Sequence, residues 1–521
     1  MERRRIARAA MIIMLGNLVT SALGFVRQFV TAKYFAPAQT DAWFAAYLVP
    51  QMFFDLIIGG AVAAALIPSF TRLAETNRQD FWRVVTTIFV LASIVMLFII
   101  GILEIAAHPL MSVIVSGFRL NSSHGRLDLS VKLVRIILPT LFFWGLSAVA
   151  LAALYSLGKR VAASFATACF HLGIILAAVL LASPLGVVAL PIGAVAGAAS
   201  QFLVQVPSLW RSRREVVGWT GKHFDIHDPT VRKILFLYGP VALGIVVSIV
   251  GQIFDLNFKS RLPGLGQLSD MQYATTLIQF PVGIVVAALG LAVLPMISSD
   301  AASGRIDDLK DKLGLGFRLV LVLMIPAAVG FIVLGHEIVV LLFQHGHFHA
   351  NQTPSVVTAL AGYAPQLPFI GIDQLLIFAF YARHNTVTPM LAGVFGVCVY
   401  ITFVLLLWPP QILTLAVGNT LQIALHALLL LVLLLRAIGA LNARQLGATM
   451  AKVAVASAAM AGVVILLKTW TATNANGLLA HLWDVAVPMA GAIVVYLALL
   501  HLLNVEEIRV VRQAVAARIR G

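Results

Sequence analysis

PTLFFWGLSAVALAALYSLGKRVA, residues 139–162, is matched without a gap by PQLPFIGIDQLLIFAFYARHNTVT, residues 365–388. At a constant offset of 226 the two stretches share Pro139/Pro365, Leu141/Leu367, Phe143/Phe369, Gly145/Gly371, Ala153/Ala379, Tyr155/Tyr381 and Val161/Val387. The register holds into the next segments, where Ser183-Pro184 falls opposite Pro409-Pro410. At an offset of 227, AALIPSF around Pro68 faces LAVLPMI around Pro295. Apolar helices match by chance often, so one such pair would carry little. Three at nearly one offset imply a duplication.

The duplicated material is lipid-embedded. Of 521 residues, 60% are hydrophobic and 11% charged, where a soluble domain has about 25% charged. Mean hydropathy is +0.97. Runs of roughly 20 apolar residues, enough to cross a ~30 Å hydrocarbon core, recur along the chain. Fourteen spans are predicted, at 11–35, 42–68, 83–106, 133–157, 162–182, 186–208, 234–258, 273–297, 316–343, 355–381, 389–408, 412–435, 447–467 and 484–503. Six spans per repeat is an even number, so both copies enter the membrane in the same direction and are related by an axis along its normal. The expected fold is an all-α polytopic membrane protein. It has an N-lobe over 1–210, a basic linker over 211–233, a C-lobe over 234–440, spans 13 and 14 within 441–505, and an amphipathic tail over 506–521. Two six-helix bundles should enclose a cleft near the bilayer midplane, where secondary transporters bind their cargo.

Charge fixes the orientation. With the N-terminus inside, the cytoplasmic segments carry 27 Lys/Arg and the opposite side 8, with Arg27 interior, a positive-inside pattern. Most of the net charge of +15 is therefore topological and is met by anionic lipid headgroups, not nucleic acid. MERRRIARAAMIIMLGNLVTSALGF begins like a secretory leader, but its apolar pattern runs on through Arg27, so it reads as a retained first helix. Cys169 and Cys398 lie inside apolar spans and are expected as small core residues. HGHFHAN places His345, His347 and His349 at alternate positions without a nearby carboxylate or Cys, and no metal is expected there. No nucleophile–base pair, phosphate loop or nucleotide-binding domain is evident, so the chain is expected to be neither an enzyme nor a cofactor protein. Its energy must come from the membrane potential, an ion gradient or the cargo's own gradient.

Residues 24–60, GFVRQFVTAKYFAPAQTDAWFAAYLVPQMFFDLIIGG, hold Arg27, Asp41 and Asp55 at membrane depth, where a charge costs about 2.5–3.5 kcal/mol on insertion scales. Such residues survive where they line a wet cavity. For Arg27 two readings stay open, a cavity cation for an anionic cargo or an ion pair with Asp41. Asp55, with no partner visible in its own span, pairs with Arg27, binds a proton or cation, or is a protonated or water-facing acid without a transport role. Asp255 and Asp373 are candidate coupling-cation carboxylates, since hard cations take oxygen ligands; Asp255 has Lys259 or Arg261 as an ordinary alternative.

The words LGFVRQFVTAKYF, TDAWFAAYLVP, AALIPSF, ILPTLFFWGLSAVALAAL, YATTLIQFPVGI, AVLPMIS, LLFQHGHF and FAFYARHNTVTP, in this order over residues 10 to 440, resemble the MurJ/MviN lipid II flippases of the MOP exporter superfamily. The resemblance implies fourteen helices in two lobes, the last pair forming an apolar groove. It also implies alternating access that moves an undecaprenyl-diphosphate-linked peptidoglycan precursor between the leaflets of the bacterial inner membrane. The family's cavity arginine matches Arg27, the aspartate opening its second helix Asp41, and a following basic residue Lys33. Other family cations and acids are replaced, by Ser21, Gln28, Phe54, Asp55, Gly59 and Thr276. Arginine forks are natural partners of a diphosphate, so their loss calls for other cations. Lys259 and Arg261 are the candidates at the outer mouth. The expected partners are a lipid-linked precursor, membrane lipids, a coupling ion and cell-wall synthesis proteins. The alternatives are a superfamily transporter of another lipid-linked saccharide or of drugs and cations, and a non-transporting scaffold for cell-wall enzymes.

Overall fold

The structure, a computed structural model, describes residues 2–55, 66–120, 125–214, 224–225, 228–471 and 477–507. Every regular element among them is helical. Nine of these helices are long and apolar enough to cross a membrane. Their outward side chains are large hydrocarbons: Ile105 is 86% exposed and Trp470 91%. Water would penalise such a surface and lipid does not, so this is a multi-pass membrane protein. The tail beyond residue 507, most of the linker, and Gly59-Gly60 lie outside the described residues.

The chain forms two compact units, Met1–Ser269 with Gly346–Phe348, and Asp270–His345 with His349–Gly521. The helix Pro229–Ser260, which carries the seventh expected span, falls in the first.

Both copies of the opening repeat break at the same proline. Residues 133–157 were expected as one span, but the helix Arg126–Ile137 ends before Pro139 and Thr140–Ser156 begins after it. In the second copy, Thr353–Tyr363 and Leu367–Ala382 are separated by a 3₁₀ turn, Ala364–Gln366, that contains Pro365. Proline has no N–H for the i→i−4 ladder and its ring crowds the preceding turn. A second shared feature follows from the shared glycines. A Cβ on Gly145 would lie 2.7 Å from Met96 Cγ, and one on Gly371 2.5 Å from Val320 Cγ1. In each unit the glycine therefore lets the helix after the break press onto a long neighbour, Arg78–Ile114 in one and Ile306–Phe343 in the other.

The first unit packs by small residues, as membrane helices do when no hydrophobic effect separates protein from lipid. Gly173, Gly193 and Gly197 bring Arg160–Leu185 onto Ala189–Leu203, with a Cβ on Gly173 only 2.5 Å from Gly197 Cα. Gly16 meets the backbone of Ser164 in the same way. Cys169 is partly buried, but Cys398 is exposed on Val387–Leu406, so the expectation of a core residue fails there. Its helix turns that face outward, where a small apolar side chain is tolerated as readily as in a core.

In the second unit, Ala443–Thr471 and Leu478–Leu502 pack on each other and on Ile306–Phe343. Their contact is apolar, through Val322, Leu334, Val453, Met460 and Ala492, and is pinned where the Tyr496 hydroxyl donates to the Val322 carbonyl at 2.6 Å. Arg318 pairs with the buried Glu507.

Candidate functional site

Arg27 lies near the end of the helix Glu2–Tyr34 and is only 8% exposed. Its guanidinium carbon sits 4.8 Å from the Tyr47 ring centroid, a cation–π distance. Nε and Nη1 are buried without a hydrogen-bond partner among the described residues. An ion pair with Asp41, one of the two readings of the sequence, is not made.

Asp41 is taken by other donors. Its oxygens accept the Gly266 amide at 2.8 Å, the Ser269 amide at 2.9 Å, the Ser269 hydroxyl at 3.0 Å and Arg126 Nη1 at 3.3 Å. One amide lies just before the helix Gln267–Ala292 and the other in its first turn, where N–H groups have no partner of their own. Asp41 supplies it from elsewhere in the chain. With 1% exposure and four donors, this carboxylate is a latch. Arg126, which the sequence reading did not single out, also lies 4.6 Å over Phe118.

A polar ladder runs along the helix Pro37–Phe54. The Tyr47 hydroxyl donates to Gln51 Oε1 at 3.0 Å, and Gln51 Nε2 donates to Asp55 Oδ1 at 2.9 Å. Residues four apart share a face, so Asp55 does have a partner in its own segment, a neutral one. Arg27 stands over the other end of the ladder. Aromatic rings back it: Tyr47 lies 6.3 Å from Phe170, which lies 4.9 Å from Trp144, itself 4.5 Å from Phe54. His171 closes the group beside Gly24, where a Cβ would come to 3.5 Å from its Nε2. The signal for Gln51 was its i,i+4 spacing to Asp55. Trp144 and His171 come from distant segments and had none.

The remaining predicted residues disperse. Lys33 is exposed, and its carbonyl accepts the His347 amide at 3.0 Å. This close approach requires Gly346, whose φ is +65° and whose Cβ would lie 2.2 Å from the Lys33 oxygen. Lys259 pairs with Asp255 at 2.6 Å, the ordinary alternative for that carboxylate. Arg261 donates to Ser116 at 2.9 Å and to Asn257 at 3.0 Å. Thr276, at a family arginine position, turns its hydroxyl onto the Gln272 carbonyl at 2.9 Å. Asp373, in the second unit, faces His426 at 2.7 Å. No group of three or more metal-ligating side chains occurs among the described residues.

This arrangement offers one buried cation with spare donors, an aromatic wall and a polar ladder. It can hold an anion and orient it without making or breaking bonds. Residues 31–482 match the sequence profile of the family described as lipid II flippase MurJ. A relative in Vibrio cholerae described as a probable lipid II flippase MurJ is 29% identical over 407 residues, 75% of each chain. A solved structure described as lipid II flippase MurJ in an inward closed conformation superimposes with a TM-score of 0.75 at 23% identity, covering 94% of this chain and 98% of that one. An inward-facing multidrug resistance MATE transporter of the MOP superfamily gives 0.68 at 13% identity, covering 82% and 98%.

Proposed function

The chain belongs to the MurJ family of lipid II flippases, and on that premise we propose that it carries a polyprenyl-diphosphate-linked peptidoglycan precursor from the inner to the outer leaflet of the bacterial inner membrane by alternating access. Its termini are cytoplasmic in this reading, and no covalent chemistry is involved. The observation that carries it is Arg27, a buried guanidinium with two donors unmet. A diphosphate brings about two negative charges and matches the arginine fork. Arg27 engages it from the Tyr47 ring, and the ladder to Asp55 orients polar groups of the head. Asp41 serves as a latch at the outer end, not as a cargo ligand. Lys33, Lys259 and Arg261 act as secondary cations at that end, Lys259 being paired with Asp255 in this structure.

The test is rescue of a bacterium depleted of its own lipid II flippase, read with accessibility labelling of the lipid II head at the outer face. Rescue by the intact chain and its loss in Arg27→Ala support the reading. Failure of rescue despite good membrane expression sinks it. A second reading, a different lipid-linked saccharide, is favoured by Thr276, since its hydroxyl is spent on its own helix where a family arginine would serve the diphosphate. Head-labelled lipid II and a lipid-linked saccharide without the peptide distinguish the two.

A further inference from the structure

The duplication contains its own control. At the offset of 226, Asp373 of the second unit falls opposite Ser147 of the first. Ser147 Oγ accepts Gln201 Nε2 at 3.1 Å and Gln205 Nε2 at 2.6 Å, a neutral polar knot between Thr140–Ser156 and Ala189–Leu203. The matching helices of the second copy, Leu367–Ala382 and Ile412–Ile438, are tied at the same place by Asp373 Oδ1 and His426 Nδ1, 2.7 Å apart. His426 falls opposite Ser200, one residue from Gln201. One copy holds this junction with groups that cannot titrate, and the other with two that can.

We propose that Asp373 and His426 form a proton-binding site, loaded in one state of the transport cycle and emptied in another. The inference rests on the transport reading above. Its proton count follows from geometry. His426 Nε2 lies 3.4 Å from the Pro389 carbonyl, which can only accept, a contact that favours the tautomer with a hydrogen on that nitrogen. The 2.7 Å contact then holds one further proton, shared between imidazole and carboxylate, and the loaded pair has no net charge. Releasing that proton leaves a carboxylate facing an imidazole lone pair, with net charge −1. A neutral pair suits membrane depth and a lone charge does not, so loading favours this junction closed and release favours it open. The two groups share that proton and take it up or give it off as a unit.

A metal cation fits less well, because hard cations want several oxygens and Asp373 meets an imidazole nitrogen instead. The second Asp373 oxygen makes no hydrogen bond among the described residues. Charged groups on the helices packed against the pair are engaged elsewhere. Asp300 holds Arg305 and Lys312, Arg318 holds Glu507, and Glu337 holds Lys468. Asp307, Asp308, Lys310 and Asp311 cluster in the first turns of Ile306–Phe343, and His336 lines a separate cavity with Glu337 and Lys468. Arg436 lies ten residues beyond His426, about 15 Å along the helix. The tyrosines and Cys398 are further titratable side chains on these helices.

The test has two arms on the full chain. In vesicles of phosphatidylethanolamine and phosphatidylglycerol, flipping of fluorescent lipid II is compared with and without a one-unit pH difference. A single coupled proton allows a change of up to roughly tenfold. We expect that ratio to fall to one in Asp373→Asn, in His426→Gln and in Asp373→Ser/His426→Gln, which gives this junction the serine and glutamine chemistry of the first unit. An unchanged ratio in a variant that flips overturns the proposal. In the other arm, histidine isotope labelling follows His426, assigned by its loss in His426→Gln. A signal that titrates between about pH 5 and 9 and shifts in Asp373→Asn supports the site, and one that does not overturns it. This second arm needs no transport. If the intact chain flips no lipid II yet His426 titrates with Asp373, the cargo reading fails and the proton site stands.

Discussion

Asp41 and Ser269 are joined twice, the carboxylate accepting both the amide and the hydroxyl of the serine at 2.9 and 3.0 Å. The same carboxylate is the counter-charge of Arg126, which is 6% exposed. Asp41→Asn keeps the shape but removes the carboxylate that Arg126 faces in a buried pair, a change that costs about 3–5 kcal/mol. Thermal unfolding in detergent should show a large drop in midpoint. Asp41→Asn combined with Arg126→Gln should recover part of it, because the second change removes the buried positive charge that had faced the carboxylate. A midpoint unmoved by Asp41→Asn would contradict the latch.

Arg27 should behave in the opposite way. Its unmet donors cost the folded state about 1–3 kcal/mol each, so Arg27→Ala should leave the unfolding midpoint unchanged or raise it. Flipping should fall at least about tenfold, the value of one good charge-assisted contact. Arg27→Lys keeps the charge but not the planar fork and should restore only part of the rate. If Arg27→Ala destabilised the protein as Asp41→Asn does, Arg27 would be a structural residue.

These two residues also mark what could be read from the chain. Arg27 and Asp41 stood out because a charge at membrane depth needs a reason, and the duplication was visible because glycine and proline positions recur without gaps. The helix breaks at Pro139 and Pro365 were not anticipated, although proline's missing donor predicts them, because hydropathy runs straight through both. Partners from other segments were hidden. Arg126 reaches Asp41 across 85 residues, and His426 reaches Asp373 across 53, and neither separation leaves a periodic trace. Gln51 was concealed differently, as an uncharged residue in an apolar run whose side chain matters only once Asp55 is known to point the same way.

Gly371→Ala and Gly145→Ala test the duplicated helix contact. The first would place a Cβ 2.5 Å from a methyl of Val320, a β-branched side chain with little rotamer freedom. The second would meet Met96 at 2.7 Å, and methionine adapts. Gly371→Ala should therefore cost about 1–3 kcal/mol and Gly145→Ala less. Val320→Ala should rescue Gly371→Ala in a double-mutant cycle read by thermal unfolding. Equal losses at the two sites would mean that the stiffness of Val320 does not set the cost, and no rescue would mean that Val320 is not what the added methyl meets.

Acid acts on the fold through carboxylates outside the membrane-spanning segments. Hydrogen bonds from Lys312 and Arg305 hold Asp300 below its ordinary range. For Asp228, burial pushes upward, but the Thr230 amide and Arg83 outweigh it and the net shift is also downward. A carboxylate depressed in the folded state binds its proton more readily when unfolded. Its stabilising contribution is therefore complete above the unfolded value of about 3.9 and is lost as pH falls through the lower folded value. The unfolding midpoint should hold steady on this account from about pH 8 to pH 5 and decline below about pH 4. Asp300→Asn should start from a lower midpoint at neutral pH, with Arg305 and Lys312 left to repel, and should decline less steeply in acid. Parallel curves for the intact chain and the variant would show that the ion cluster contributes nothing to acid sensitivity.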